Sequence, residues 1–85
     1  MAESDAAKMR RLRVEKLPSL NFFTVRCHEL NILPNEAAAL LLESRWFTSA
    51  TVAARDPYEL VVEYKLCTLA HAKMTVLQQL GPHLR

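Results

Sequence analysis

The stretch from Asp56 to Gly81 restricts the fold more than any other part of the chain, because it joins a helix start signal, long apolar periodicity and a helix stop signal. Asp56 suits a helix N-cap, and Pro57 suits the first helical position, where no N–H donor is needed. At the other end Gly81 can take a left-handed closing conformation, and Pro82 prevents continuation. The pattern predicts one long helix over 56–81.

Helical periodicity divides this stretch into an apolar side and a polar side. The apolar side predicts packing against another helix or a second copy, and it holds Val62, Leu66, Leu69, Val76, Leu77 and Leu80. The polar side has no carboxylate, and it holds Lys65, Thr68, His71, Thr75, Gln78 and Gln79. A solvated exterior explains this composition, and so does contact with a polar, anionic partner. Lys73 falls inside the apolar side, so either this side is narrower than the periodicity suggests, or Lys73 meets a carboxylate such as Glu59 or Glu63 of an antiparallel second copy.

Glycine content and chain length limit the fold further. One glycine in 85 residues excludes a Gly-rich phosphate loop and disfavours glycine-dependent hairpins. With the helical patterns, this predicts an all-α fold, a helical hairpin or small helical bundle, as a single domain over 1–85. The domain divides into a basic N-terminal segment 1–18, short helices over 19–55 and the long helix 56–81. So short a chain buries a small core, which favours a homodimer.

Two short helices are predicted before residue 31. Ser4 or Asp5 would cap a helix over 6–17, and Ser19 would cap a helix over 20–30. Aromatic and β-branched residues raise the β propensity of the second segment, but its apolar residues recur at helical spacing. We therefore predict helix for both.

A third short helix is predicted over 36–47, opened by Pro34. At its end, Trp46 and Phe47 either close the core or form an aromatic stacking site for a base. Residues 48–54 would form a loop or a fraying continuation of this helix. The longest apolar run of the chain is far too short to cross a bilayer.

Basic residues are concentrated near the N-terminus, although the formal net charge is only +2. Within 8–16 the single acidic residue is Glu15, and the basic residues are Lys8, Arg10, Arg11, Arg13 and Lys16. Such a patch contacts phosphate or is simply a solvated end. No apolar signal-peptide core follows it, and Ala2 stands where myristoylation needs glycine. These features predict a cytoplasmic or nuclear protein.

Arrangements that could perform catalysis or hold a metal are weak. Glu63, Cys67 and His71 follow at i,i+4 steps, but a straight helix supplies no oxyanion donors beside them. Cys67 and His71 could join Cys27 and His28 around zinc, yet the latter two point in different directions on a helix. Reduced, buried thiols are the simpler interpretation. We expect no enzyme activity, no metal and no cofactor.

Four short motifs resemble a viral family: Leu17-Pro18, Asp56-Pro57, LCTL at 66–69 and AKMTV at 72–76. In this order they are similar to the pattern in small nodavirus RNA-silencing suppressors. Those proteins are dimeric all-helical bundles that bind double-stranded RNA without sequence preference and shield it from the host silencing machinery. The resemblance implies that a dimer lays its long helices on the duplex in the host cytoplasm, with Lys73 and Thr75 in the matching segment.

Two functions stand as hypotheses. The first is binding of double-stranded RNA without sequence preference, in which the protein contacts phosphates and 2′-hydroxyls rather than bases. Its candidate residues are Arg10, Arg11, Arg13, Lys65, Thr68, His71, Lys73 and Thr75. The second is a non-enzymatic helical protein-interaction subunit or adaptor. Its candidate interface residues are Trp46, Phe47, Val62, Leu66, Leu69, Val76 and Leu80.

Overall fold

A computed structural model describes residues 2–85 and shows a four-stranded antiparallel sheet beside three α-helices. The elements are, in chain order, α1 (Asp5–Leu12), β1 (Glu15–Lys16), β2 (Phe22–Arg26), α2 (Pro34–Leu41), β3 (Phe47–Val52), β4 (Glu59–Tyr64) and α3 (Leu69–Leu80), with a 3₁₀ turn over Gly81–His83. The predicted all-α helical hairpin or bundle is therefore wrong. The basic segment predicted over 1–18 begins with Met1, which lies outside the described residues.

The strands lie in the order β1-β2-β4-β3, so β4 occupies an inner position between β2 and β3. It pairs antiparallel with both neighbours, with Val62 opposite Phe23 on one side and opposite Ala50 on the other. As a result β2 and β3 run parallel to each other, and α2 connects them. The arrangement is a split β-α-β unit with a later strand inserted in its middle.

The long helix predicted over 56–81 is wrong in its first half, which forms a turn and strand β4. Asp56 does not cap a helix; its Oδ1 accepts the N–H of Tyr58 at 2.9 Å and closes the turn between β3 and β4. The strand that follows is rich in β-branched and aromatic residues, which pack well on a pleated surface.

The second half of that stretch is helical, as α3. Thr68 caps it, because its hydroxyl accepts the N–H of His71 at 3.1 Å. Gly81 does not take the predicted left-handed conformation; its φ is −52°, and the chain continues into the 3₁₀ turn.

The shorter helices were predicted with mixed success. Ser4 caps α1 by accepting the N–H of Ala7 at 3.2 Å, and Pro34 opens α2. The helix predicted over 20–30 is wrong, because strand β2 forms there. The helix predicted over 36–47 ends at Leu41, and β3 occupies most of the loop predicted over 48–54.

All three helices contribute to one core against one side of the sheet, which we call the helix-covered face. Strand residues that point to it are fully buried; they include Phe23, Val25, Leu60 and Val62. Alternate residues of the same strands point to the opposite side, the helix-free face; they include Thr24, Arg26, Glu59, Val61 and Glu63. The two-residue strand β1 forms one edge of the sheet and β3 forms the other.

A candidate anion-binding cleft

Helix α1 brings the N-terminal basic residues against α3. Leu12 is fully buried in the core, and Met9 packs against it, which fixes this face of α1. Arg13 ends the helix in a left-handed conformation, with φ 51° and ψ 52°, and its N–H donates to the carbonyl oxygen of Met9 at 3.1 Å. This turn directs the chain into β1 beside the end of the helix.

An open cleft of about 490 Å³ lies at this turn, and we call it the cationic cleft. Its lining residues are Met9, Arg10, Arg13, Val14, Glu15 and Lys73. Lys73 comes from α3, far along the chain, so the cleft exists only because α1 folds onto α3. The lining holds three basic residues and one acidic residue, which makes the cleft attractive to an anion.

The cations of the cleft are available to a ligand. Within residues 2–85, none of Arg10, Arg13 and Lys73 forms an ion pair with a carboxylate, whereas Arg11, Arg26 and Arg55 each do. Lys73, which the periodicity placed on the apolar side of a helix, lies half-buried on α3 and lines this cleft.

Arg11 belongs to the same helix but is already engaged. Its Nε donates to Glu29 at 2.9 Å, and its other nitrogens donate to Glu3 and to the carbonyl oxygen of Arg85. The hydrogen bond that Arg11 donates to Glu29 is the largest cause of its raised pKa. Arg11 therefore ties α1 to two distant segments instead of lining the cleft.

Three other predicted RNA-binding residues lie at a separate place, the start of α3. Thr68 caps the helix, Lys65 is exposed just before it, and His71 packs edge-on against Trp46 with ring centroids 5.1 Å apart. The guanidinium of Arg45 covers the Trp46 ring at 4.5 Å. A second, smaller cleft of about 260 Å³ opens here. The candidate RNA-binding residues predicted for one long helix therefore do not form one surface: Lys73 lines the cationic cleft, whereas Thr68 and His71 line this second cleft.

Thr75 contributes to neither site. It is buried, and its hydroxyl donates to the backbone oxygen of His71 at 2.9 Å. A Thr hydroxyl that bonds back to the preceding turn has no free donor for a ligand. Its role is packing within α3.

Most of the predicted protein-interface residues lie inside the domain. The core of the single chain buries Phe47, Val62, Val76 and Leu80, and Trp46 and Leu69 pack against it. They offer little surface to a partner. Leu66 differs, because it is 84 % exposed and takes a left-handed φ of 63° in the connection from β4 to α3.

The thiols are in poor environments for nucleophilic chemistry. Burial, followed by the charge of Asp56, raises the pKa of Cys27 to about 11, and burial also raises the pKa of Cys67. Both thiols are therefore protonated at neutral pH. In the part of the chain that the structure describes, no three His, Cys, Asp or Glu residues lie close enough together to hold a metal ion.

A buried carboxylate on the helix-free face was not anticipated from the sequence. Glu59 is 2 % exposed. Its carboxylate accepts a hydrogen bond from Nε of Arg55 at 3.0 Å, and it also lies 3.5 Å from Nε of Arg26. Arg26 also donates to Asp56 at 2.9 Å. The available signal was the strand alternation of 59–64, which places Glu59 and Val61 on the same face.

No protein-family model, curated protein or solved structure shows significant similarity to this chain. Across residues 2–85 no helix has both the length and the apolar character needed to cross a membrane.

Proposed function

We propose that this domain binds double-stranded RNA without enzymatic action, through phosphate groups held in the cationic cleft. The observation that carries the proposal is the convergence of Arg10, Arg13 and Lys73, none of them ion-paired within residues 2–85, on one open cleft. Guanidinium and ammonium groups are the main phosphate ligands in proteins, and such contacts do not depend on base sequence.

The chemistry of the cleft favours a duplex over a single strand. Its lining has no aromatic ring, so unpaired bases would find no surface on which to stack. Glu15, the one acidic residue of the lining, lies opposite Thr24 of β2, so its side chain points to the helix-free face rather than into the cleft. The cleft is therefore left with cations, and contacts from cations to phosphate suit the backbone of a duplex whatever its base sequence.

The resemblance to nodavirus suppressors does not carry this proposal. Its motifs fall after β1, in the turn before β4, in the connection from β4 to α3 and in α3, and the all-α bundle that it implied is not the fold of this chain. A role in shielding duplex RNA from silencing would follow from the proposed binding. It would have to use this cleft rather than paired long helices.

A titration of labelled nucleic acids tests the proposal. A short RNA duplex, the DNA duplex of the same sequence and the single-stranded RNA are titrated at two salt concentrations, with fluorescence anisotropy as the readout. We expect the RNA duplex to bind best and to weaken as salt rises, because phosphate binding releases counterions. Equal binding to all three, or no binding, would contradict the proposal.

A matched pair of double variants places the site. Arg10→Gln with Lys73→Gln should weaken RNA binding and lower the slope of log K against log salt by about 1 for each lost phosphate contact. Arg45→Gln with Lys65→Gln removes the same charge near Trp46 and should leave binding close to wild type. If the two double variants weaken binding equally, net charge rather than the cationic cleft is responsible.

A protein-interaction subunit remains the second candidate, and one observation favours it. Leu20 and Leu66 are 81 % and 84 % exposed, more than any other large apolar residue within residues 2–85. Both lie near the same end of the sheet, since the backbone oxygen of Asn21 accepts the N–H of Tyr64 at 3.0 Å. Leu20→Ser with Leu66→Ser should leave RNA binding unchanged, and loss of RNA binding would favour an RNA site at this end instead.

A further inference from the structure

The two edges of the sheet are built very differently. The β1 edge has two residues, Glu15 and Lys16, and both are charged and exposed. The β3 edge has six residues, FTSATV, without a charge, a proline or a glycine. Natural sheets protect their edges with short strands, charged side chains and bulges, because an unprotected edge pairs with another strand. Strand β3 has a bulge at Thr48 but is regular from Ser49 onward.

The register shows which backbone groups of β3 face away from the sheet. The N–H of Ala53 donates to the oxygen of Glu59 at 2.8 Å, so this residue bonds towards β4. Along an antiparallel strand every second residue directs its backbone N–H and C=O groups to the same neighbouring strand. Thr51, two residues before Ala53, therefore also bonds towards β4. The N–H and C=O groups of Ala50 and Val52 therefore point outward from the sheet.

We propose that the β3 edge pairs with the β3 edge of a second copy of this chain, antiparallel and two-fold symmetric about Thr51. In this register Ala50 forms both backbone hydrogen bonds with Val52 of the partner subunit, and the symmetry repeats the pair. The two sheets join into one continuous sheet. This dimer is independent of RNA and goes beyond the function proposed above.

The side chains of β3 fit their own copy. On the helix-covered side a small Ala50 would face a larger Val52, which is 36 % exposed in the single chain. On the other side Thr51, also exposed, would face its own symmetry mate, and threonine pairs are favourable cross-strand neighbours. A symmetric edge that carried charges would set like charges opposite each other, and β3 carries none. A symmetric dimer is also the commonest assembly of soluble proteins.

The pairing leaves the cationic cleft free. Glu15 belongs to both the cleft and β1, which lies at the opposite edge of the sheet from β3. Each subunit of the dimer would carry its cleft at the outer end of the joined sheet. RNA binding and dimerisation can therefore fail separately, and each is measured without the other.

Charge reversal at the symmetry axis tests the proposal. Sedimentation velocity over a concentration series should show a dimer for the wild type, and Thr51→Lys and Thr51→Glu alone should each weaken it by about tenfold or more, because like charges then meet. Mixing the two variants should restore association through opposite charges. Ser19→Lys, an exposed turn residue, adds the same charge and should associate as the wild type does.

Amide hydrogen exchange of the wild type provides a second readout that needs no variant. As concentration rises, exchange at Ala50 and Val52 should slow, while exchange at Glu15 and Lys16 should stay constant. A wild type that remains monomeric over the series overturns the proposal. So does a mixture of the two Thr51 variants that associates no better than either variant alone.

Discussion

The helix-covered and helix-free faces of the sheet are built from alternate residues of the same strands, yet they are buried by different means. On the helix-covered face Leu60 and Val62 are fully buried among apolar side chains of the helices. On the helix-free face Glu59 and Thr24 are almost as well buried, although no helix lies over them. Burial alone therefore does not identify the core of this domain.

The helix-free face is covered by connecting segments and by ion pairs. Leu17 and the stretch 53–55 line a cavity of about 390 Å³ there, together with Glu59 and its neighbours. A buried carboxylate is tolerated only when its charge is paired, and Arg26 and Arg55 supply the pairs. One face is thus stabilised by removing apolar area from water, and the other by keeping a charge satisfied.

The largest effect should come from truncating the helix-covered face. Leu60→Ala removes a fully buried side chain and leaves a cavity, which should lower the free energy of unfolding by about 2–5 kcal/mol. Val61→Ala, the next residue on the other face, should cost about 1 kcal/mol, because Val61 is only half-buried. Urea denaturation followed by circular dichroism measures both. Equal losses would mean that the two faces are equally packed.

A smaller effect is expected on the helix-free face from Glu59→Ala. This change leaves Arg26, which is partly buried, without one of its carboxylates, and should cost about 2 kcal/mol. Glu63→Ala is the control on the same strand and face, since that carboxylate accepts only a hydrogen bond from Thr48 in an exposed position. If Glu63→Ala destabilises the domain as much as Glu59→Ala, the buried ion pairs do not stabilise this face.

The smallest effect is a pH dependence on the helix-covered side. The Cys27 pKa is raised from 9.0 to about 11, so above pH 9 the unfolded chain loses this proton while the folded chain keeps it. The contribution of the Cys27 thiol to the free energy of unfolding is complete below pH 9 and is lost as the pH rises towards 11. Between pH 8 and 10 it should fall by about 1 kcal/mol. The test measures the unfolding free energies of wild type and Cys27→Ala at pH 8 and pH 10. If both proteins lose the same free energy between the two pH values, the prediction is contradicted.

Local signals in the sequence were reliable where a side chain acts on its own backbone. The Ser4 cap and the Pro34 start were confirmed because a cap needs only neighbouring residues. Strands β2 and β4 were missed because their apolar residues also fit helical spacing over a few positions. Asp56-Pro57 was ambiguous in the same way, since an aspartate that caps a helix also closes a turn.

The candidate site could be predicted only in parts. Arg10, Arg13 and Lys73 were all named from the sequence, but in a set that also contained residues now found elsewhere, such as Arg11 and Thr75. Their grouping depends on α1 packing against α3, a contact between distant parts of the chain. The β3 edge could not be foreseen, because it needed the strand order rather than the strand sequence.

The inner position of β4 also has a consequence during synthesis on the ribosome. Strand β2 emerges early, but the strand that completes its pairing follows only after the whole stretch from Cys27 to Tyr58. Until then Phe23 and Val25 have only the two-residue strand β1 beside them. The hairpin of β3 and β4 is local and forms quickly, whereas its docking onto β2 must close a long loop. The nascent chain therefore exposes an apolar strand until most of the domain has left the exit tunnel.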